Sequence, residues 1–277
     1  MINLNGEFIS NAFFFNNRGF SFGDALFETI KVVNSKILFW EDHYLRLMAA
    51  MRIIRMEIPM NFTMEFLETE ILKTITRNQL SGQAVRIRLS VYRNGQGRYL
   101  PETHTISYTI TAKKLPEHKY TVNKNPYVID LFRDHYTNPG LLSTLKTNNR
   151  IINVVGSIYA SENKYNNCLL LNQEKKVVEA LNGNLFMVVK DHIKTPPLQD
   201  GCIQGILRKQ ILRLLAKDPN YSVEEASISP FDLQKADELF ITNVITGIQP
   251  VTRYRKKEYS VDTALAINKA LNATTFP

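Results

Sequence analysis

Val85-Arg86-Ile87-Arg88-Leu89-Ser90-Val91-Tyr92 alternates apolar and polar side chains without a break. Successive side chains of an extended chain point to opposite faces, so the stretch predicts a strand with one buried and one polar face. The glycine-bearing loop Tyr92-Arg93-Asn94-Gly95-Gln96-Gly97-Arg98 follows it, and then a second strand over 105–111. Before it come a short hairpin over 2–9 around Asn5-Gly6, a strand over 28–33 and a turn at Asn34-Ser35. A helix capped by Asp42 is predicted to run to about residue 56, with Leu45, Met48 and the Ile53-Ile54 region at helical spacing. A second helix is predicted over 63–78.

Beyond the polar, proline-containing stretch Ala112-Lys113-Lys114-Leu115-Pro116-Glu117-His118 the pattern starts again. A strand over 127–132 leads through a loop to Lys146. A helix then carries Ile151, Val155, Ile158 and Ser161 at a helical rhythm. Strand pairs are predicted at 168–171 with 177–179 and at 185–189 with 192–193. Gly205 opens a helix to about residue 216, Ser229-Pro230 starts a short one, 239–242 reads as a buried strand and 261–271 as a terminal helix. The reading is a mixed α+β / α/β chain of two domains: a smaller α/β domain over 1–113, a linker over 114–120 and a larger domain over 121–277.

The 277 residues, 44% apolar and 22% charged, describe a globular protein and exclude collagen, low-complexity disorder and a disulfide scaffold. Cys168 and Cys202 match no metal or redox spacing and read as core residues in a reducing, cytoplasmic compartment. No stretch approaches the roughly 20 apolar residues of a membrane helix. No two of the five histidines have metal-ligand spacing on one element, so no metal is expected. Nucleophile-elbow, Walker and dinucleotide fingerprints are missing. The net charge of +8 raises the question of nucleic acid, but the basic residues are dispersed rather than gathered in an aromatic-laced strip, which argues against it.

Six segments, in order, carry more. They are Arg18-Gly19-Phe20-Ser21-Phe22-Gly23-Asp24-Ala25-Leu26-Phe27-Glu28; His43-Tyr44-Leu45-Arg46-Leu47; Leu145-Lys146-Thr147-Asn148-Asn149-Arg150; Val178-Glu179 with Asn184-Leu185-Phe186; Gly205-Ile206-Leu207-Arg208; and Ala236-Asp237-Glu238-Leu239-Phe240-Ile241-Thr242-Asn243, ending in Gln249-Pro250-Val251. Together they resemble the class IV pyridoxal-phosphate enzymes, which include branched-chain and D-amino-acid aminotransferases and aminodeoxychorismate lyases. The resemblance implies the two-domain fold-type IV architecture, pyridoxal 5'-phosphate as cofactor, and a homodimer.

Residue by residue, the resemblance implies that Lys146 forms the Schiff base and serves as general base and acid. It implies that Glu179 meets the pyridine nitrogen and that Arg46 pairs with the phosphate. The N–H groups of Ile206 and Leu207 would form a phosphate cup at a helix start, joined by those of Val244 and Ile245. Ile203 would pack against the ring. The substrate carboxylate falls to Arg88 or to Arg98, and Phe27 stands where some relatives carry a substrate-facing tyrosine. The first function implied is an aminotransferase acting on a branched-chain or D-amino acid and a 2-oxo acid. The alternative is an aminodeoxychorismate lyase giving 4-aminobenzoate and pyruvate, which the Thr242-Asn243 pattern favours.

Overall fold

The structure, a computed structural model, describes residues 2–4, 7–9, 17–123 and 125–276. The chain divides into two units: Met1–Pro116 with Lys146–Asn149, and Glu117–Leu145 with Arg150–Pro277.

The first unit contains β1 (Ile2–Leu4), β2 (Glu7–Ile9), α1 (Arg18–Ser21), β3 (Ala25–Val33), β4 (Lys36–Ile37), α2 (Trp40–Ile53), α3 (Met64–Arg77), β5 (Ala84–Arg93) and β6 (Ile106–Lys114). β1 and β2 pair antiparallel; the Asn5-Gly6 turn lies outside the described residues. The alternating stretch is the interior strand of an antiparallel sheet ordered β4-β3-β5-β6. Val85, Ile87, Leu89 and Val91 are buried, whereas Arg86 is exposed. α3 lays Ile71 and Ile75 against Ile30, Val32, Val85 and Ile87. Its start is capped by Thr63, whose hydroxyl accepts from Phe66 N at 3.2 Å.

α2 differs from the expectation in two ways. Phe39, at φ 55°, occupies the cap position, and Asp42 sits inside the first turn, where its charge suits the helix dipole. Leu45 is 53% exposed, and the buried face is His43, Leu47 and Met51 with Met48 and Ala50. A histidine heads that buried stripe, so an apolar pattern alone points to the wrong face.

The second unit contains β7 (Val128–Thr137), α4 (Ile151–Glu162), β8 (Asn167–Asn172), β9 (Val177–Ala180), β10 (Asn184–Val189), β11 (His192–Thr195), α5 (Ile206–Leu215), β12 (Ser222–Glu225), α6 (Pro230–Lys235), β13 (Glu238–Asn243), β14 (Gly247–Val251), β15 (Arg253–Tyr254), β16 (Lys257–Glu258) and α7 (Asp262–Thr275). Two five-stranded mixed sheets, β12-β11-β10-β13-β14 and β16-β15-β7-β8-β9, share one core. Ile129 and Leu131, Leu169 and Leu171 meet Leu185 and Met187, Leu239 and Ile241 there, each pair two residues apart on its strand. The opposite side chains, Phe132, Cys168 and Leu170, pack against α4.

α4 also turns a different face inward. Ile151 and Ile158 are exposed, while Gly156 and Ala160 are buried with Ile152, Val155 and Tyr159 beside them. A Cβ on Gly156 would lie 2.4 Å from Leu181 Cδ2, so small residues let the helix approach the sheet. Large aliphatics mark the outer stripe instead.

Candidate active site

Lys146 was expected in the larger domain, and its peptide belongs to the first unit. The reason is backbone pairing: Phe27 N donates to Lys146 O, and Asn148 N donates to Ala25 O, each at 2.9 Å. Residues 146–148 thus run antiparallel along the start of β3, bridging Leu26 to Thr147. These two backbone bonds, one at the Lys146 carbonyl and one at Asn148, pin the peptide to β3 through a single bridge at Thr147.

The side chains around it follow from the β3–β5 register. Phe27 faces Ser90 and Thr29 faces Arg88, so Phe27 and Arg88 are diagonal neighbours on one face. Lys146 Nζ lies 4.0 Å from the Phe27 ring centroid, and Arg88 Cζ lies 3.9 Å from the same centroid. Arg88 donates to Ser90 Oγ and to Asn148 Oδ1, both at 3.3 Å. Burial, with the charge of Arg86, lowers the pKa of Arg88 from its ordinary value. Each cation is attracted by the ring face, but two cations on one ring repel each other. Such a cluster is relieved by an anion.

Beside it is a buried ion cluster. Arg46 donates through Nε to Glu28 Oε1 at 2.8 Å and through Nη2 to Oε2. His43, one turn earlier on α2 and fully buried, lies with Nδ1 2.6 Å from Glu28 Oε2. Burial pushes the Glu28 carboxyl up, but the Arg46 charge and the His43 hydrogen bond outweigh it and bring the pKa down to about 2. Glu28 is therefore a carboxylate, able only to accept, and Nδ1 of His43 must carry the proton. Burial lowers His43 in turn; the pull of Glu28 does not overcome it, and the Arg46 and Lys146 charges add to the lowering. His43 is neutral, with its lone pair on Nε2.

In the second unit, Glu179 on β9 is buried and accepts from Ile203 N at 3.0 Å and from Asn184 Nδ2 at 3.4 Å. Asn184 Nδ2 also donates to Ile203 O at 2.9 Å, so one amide ties the carboxylate to the 201–205 turn. A Cβ on Gly205 would lie 1.9 Å from Asn184 Oδ1, so any larger residue there must displace that amide. Gly205 caps α5 without any side-chain hydrogen bond, leaving the first N–H groups of that helix uncapped by side chains. The Ile206 and Leu207 side chains are in the core, so only their N–H groups can face a ligand.

The structure gathers Lys146, Arg88 and Phe27 in one cluster, with Arg46 near it through His43. It does not add Arg98, which is exposed on its loop with its carbonyl accepting from Arg18 Nη1 at 2.8 Å. Ile245 N donates to Asn243 Oδ1 at 3.0 Å, in the turn an asparagine favours. Val244 is half-buried, with its carbonyl accepting from the Tyr120 hydroxyl at 3.0 Å. Ile203 is half-buried and held at both its N–H and its carbonyl. Glu28, His43, Asn148 and Asn184 stand in the quoted segments, but residue type alone assigns them no role. The spacing of His43 and Arg46, three apart on one helix, was the available signal for the first two.

The donor set suits pyridoxal phosphate. The first unit offers an amine and a guanidinium that share one aromatic ring and a buried His43 Nε2 with no hydrogen-bond partner among the described residues; the second, taken by itself, offers a rigidly held buried carboxylate and a helix start without a side-chain cap. Comparison with known proteins agrees. The profile of the class IV aminotransferases matches residues 25–254. An aminodeoxychorismate lyase of Vibrio harveyi is 26% identical over 248 residues, covering 89% of each chain. A D-alanine aminotransferase of Listeria monocytogenes is 24% identical over 243 residues, covering 85% of this chain and 80% of its own. In fold, a branched-chain amino acid aminotransferase structure from Escherichia coli superposes with a TM-score of 0.82 at 20% identity, covering 94% of this chain and 87% of that one. This chain is an enzyme of the class IV aminotransferase family, whose members use pyridoxal 5'-phosphate.

Proposed function

We propose that the chain is an aminotransferase that moves an amino group between an amino acid, branched-chain or D-configured, and a 2-oxo acid. The observation that supports this most is the pairing of Arg88 and Lys146 across the Phe27 ring, at 3.9 and 4.0 Å. Both substrates carry a carboxylate next to the reacting carbon, and a guanidinium beside the lysine suits both. Arg88 is therefore our choice for the carboxylate, and Arg98 the lesser one. Phe27 offers a ring face and no hydroxyl.

Bound pyridoxal phosphate supplies the electron sink for the pair left at Cα. Lys146 is the amine that would hold the cofactor's aldehyde carbon and, once displaced by substrate, would take and return the proton at substrate Cα. Arg88 orients the substrate by its carboxylate so that Cα–H meets that amine. Glu179 would keep the pyridine nitrogen protonated. Its carboxylate is fixed by Ile203 N and Asn184, so it needs no reorganisation. Arg46 and the N–H groups of Ile206 and Leu207 would hold the phosphate.

A second reading, an aminodeoxychorismate lyase releasing pyruvate and 4-aminobenzoate, is favoured by Thr242-Asn243, where Asn243 organises the following turn. One assay separates the two. Amino transfer that requires an added 2-oxo acid supports the first. Pyruvate release from aminodeoxychorismate without an acceptor supports the second and overturns the first.

We read the protein as a cytoplasmic homodimer. The buried, unpaired Cys168 and Cys202 suit a reducing compartment, and burial pushes the Cys168 thiol up to about 11 and the Cys202 thiol to about 12. Leu141, Leu142, Ile151, Val154 and Ile158 are exposed apolar side chains of the kind a subunit contact covers. Sedimentation at the monomer mass would contradict the dimer.

A further inference from the structure

Glu28 meets one edge of the Arg46 guanidinium. Nε and Nη2 both donate into the carboxylate, so the plane of the guanidinium is fixed by a bidentate clamp and its Nη1 side points away from Glu28. The clamp is itself held from behind. His43 donates through Nδ1 to the oxygen that Nη2 uses, which prevents the carboxylate from rotating. All three side chains are nearly or wholly buried.

A clamp of this kind stabilises the fold only modestly, since burying the charges costs much of what their attraction returns. It does determine direction. From this we infer that Glu28 and His43 are positioning residues that aim Arg46 at the phosphate of pyridoxal 5'-phosphate. The inference rests on the cofactor reading above and adds two residues to it. His43 has a second feature in keeping with the role: its Nε2 is buried without a hydrogen-bond partner among the described residues, beside the charges of Lys146 and Arg46.

The four groups that face one another here are Glu28 on β3, His43 and Arg46 on α2, and Lys146 on the strand-like segment. Replacing Glu28 by Gln removes one acceptor and presents an NH2 where Arg46 or His43 also presents N–H, so the clamp opens. Replacing His43 by Leu frees the carboxylate to rotate. Replacing it by Asn keeps an N–H close to the Nδ1 position and restores the support.

The test compares the affinity of the apoprotein for pyridoxal 5'-phosphate and for pyridoxal, which lacks the phosphate. E28Q and H43L are expected to weaken pyridoxal 5'-phosphate at least 10-fold while pyridoxal changes less than twofold, with H43N close to the parent protein. General damage to the fold would weaken both ligands together, and that result overturns the inference, as does equal affinity of all variants for pyridoxal 5'-phosphate. If E28Q fails to fold, H43L and H43N carry the test. An equal loss in both denies the hydrogen bond its role. Failure of the parent protein to bind either ligand would instead count against the cofactor reading.

Discussion

Arg18 and Arg93 share Asp24 much as Arg46 and His43 share Glu28, yet the two clusters differ in what remains unanswered. Arg18 donates to Asp24 at 3.0 Å and to the carbonyls of Gln96, Gly97, Arg98 and Tyr99 at 2.8–3.4 Å. Arg93 donates to Asp24 at 2.9 Å, to Arg55 O at 2.8 Å and to Ile54 O. Main-chain carbonyls absorb both forks, and the cluster ties the 96–99 loop to the sheet. Around Glu28 the partners are side chains of a single helix, the buried Nε2 of His43 is unanswered among the described residues, and Lys146 lies close by. The first network fastens a loop to the sheet, and the second sets a buried histidine and an arginine beside the candidate lysine.

The largest effect should come from the second cluster's lysine. Lys146→Ala is expected to reduce turnover by about 10³-fold or more, as loss of nucleophile and proton carrier together. Its thermal midpoint should stay close to the parent's, since Lys146 contributes to the strand pairing through its backbone. Unchanged turnover would remove the lysine from the chemistry. The first cluster should respond in the opposite sense. Arg93→Ala takes one of two cations from Asp24 and strips the Arg55 and Ile54 carbonyls of its donors, and is expected to cost about 3–5 kcal/mol in denaturant unfolding. Turnover per folded molecule should be kept.

The pH dependence sharpens the contrast. Glu28 has a folded pKa of about 2 against an ordinary 4.5, so its contribution is complete above 4.5 and is lost as the pH falls toward 2. At about 1.4 kcal/mol per tenfold change in proton affinity this is roughly 3 kcal/mol. His43, also lowered, adds the same sign: the unfolded chain binds its proton first, so stability begins to fall below about pH 6.5. Unfolding free energy measured from pH 7 to pH 3 should therefore decline, and E28Q should flatten the lower part of the curve. A slope that Glu28→Gln leaves unchanged would place the acid sensitivity elsewhere.

Gly205→Ala forces a Cβ to within 1.9 Å of Asn184 Oδ1 and is expected to cost about 1–3 kcal/mol while loosening Glu179. Cofactor affinity and melting should both drop. The smallest effect separates two arginines. Arg88→Ala should raise the substrate KM at least about 10-fold, the weight of a charged hydrogen-bonded pair, whereas Arg98→Ala should leave it nearly unchanged. The reverse order would move the carboxylate contact to the loop.

Much of the fold could be read from local pattern. The alternation at 85–92, the turn at Asn34-Ser35 and the helix start at Ser229-Pro230 are written in adjacent residues and appear as such. What escaped depends on distant partners. The inner faces of α2 and α4 are chosen by His43 and Gly156, residues that apolar spacing ignores. The membership of Lys146 in the first unit is set by its pairing with β3, about 120 positions earlier in the chain. For the candidate site, residue types at motif positions pointed to Lys146, Arg46 and Glu179. The supporting residues Glu28, His43, Asn148 and Asn184 become visible only when the hydrogen bonds are drawn.

The central claim is that the incomplete cluster beside Phe27 is where the cofactor is held, and through Lys146. Reduction of the purified, cofactor-loaded enzyme with borohydride, followed by peptide mass mapping, tests it most directly. The account predicts a phosphopyridoxyl group on the peptide containing Lys146 and loss of that mark in Lys146→Ala. A mark on another lysine, or none on a protein that carries bound pyridoxal phosphate, would contradict it.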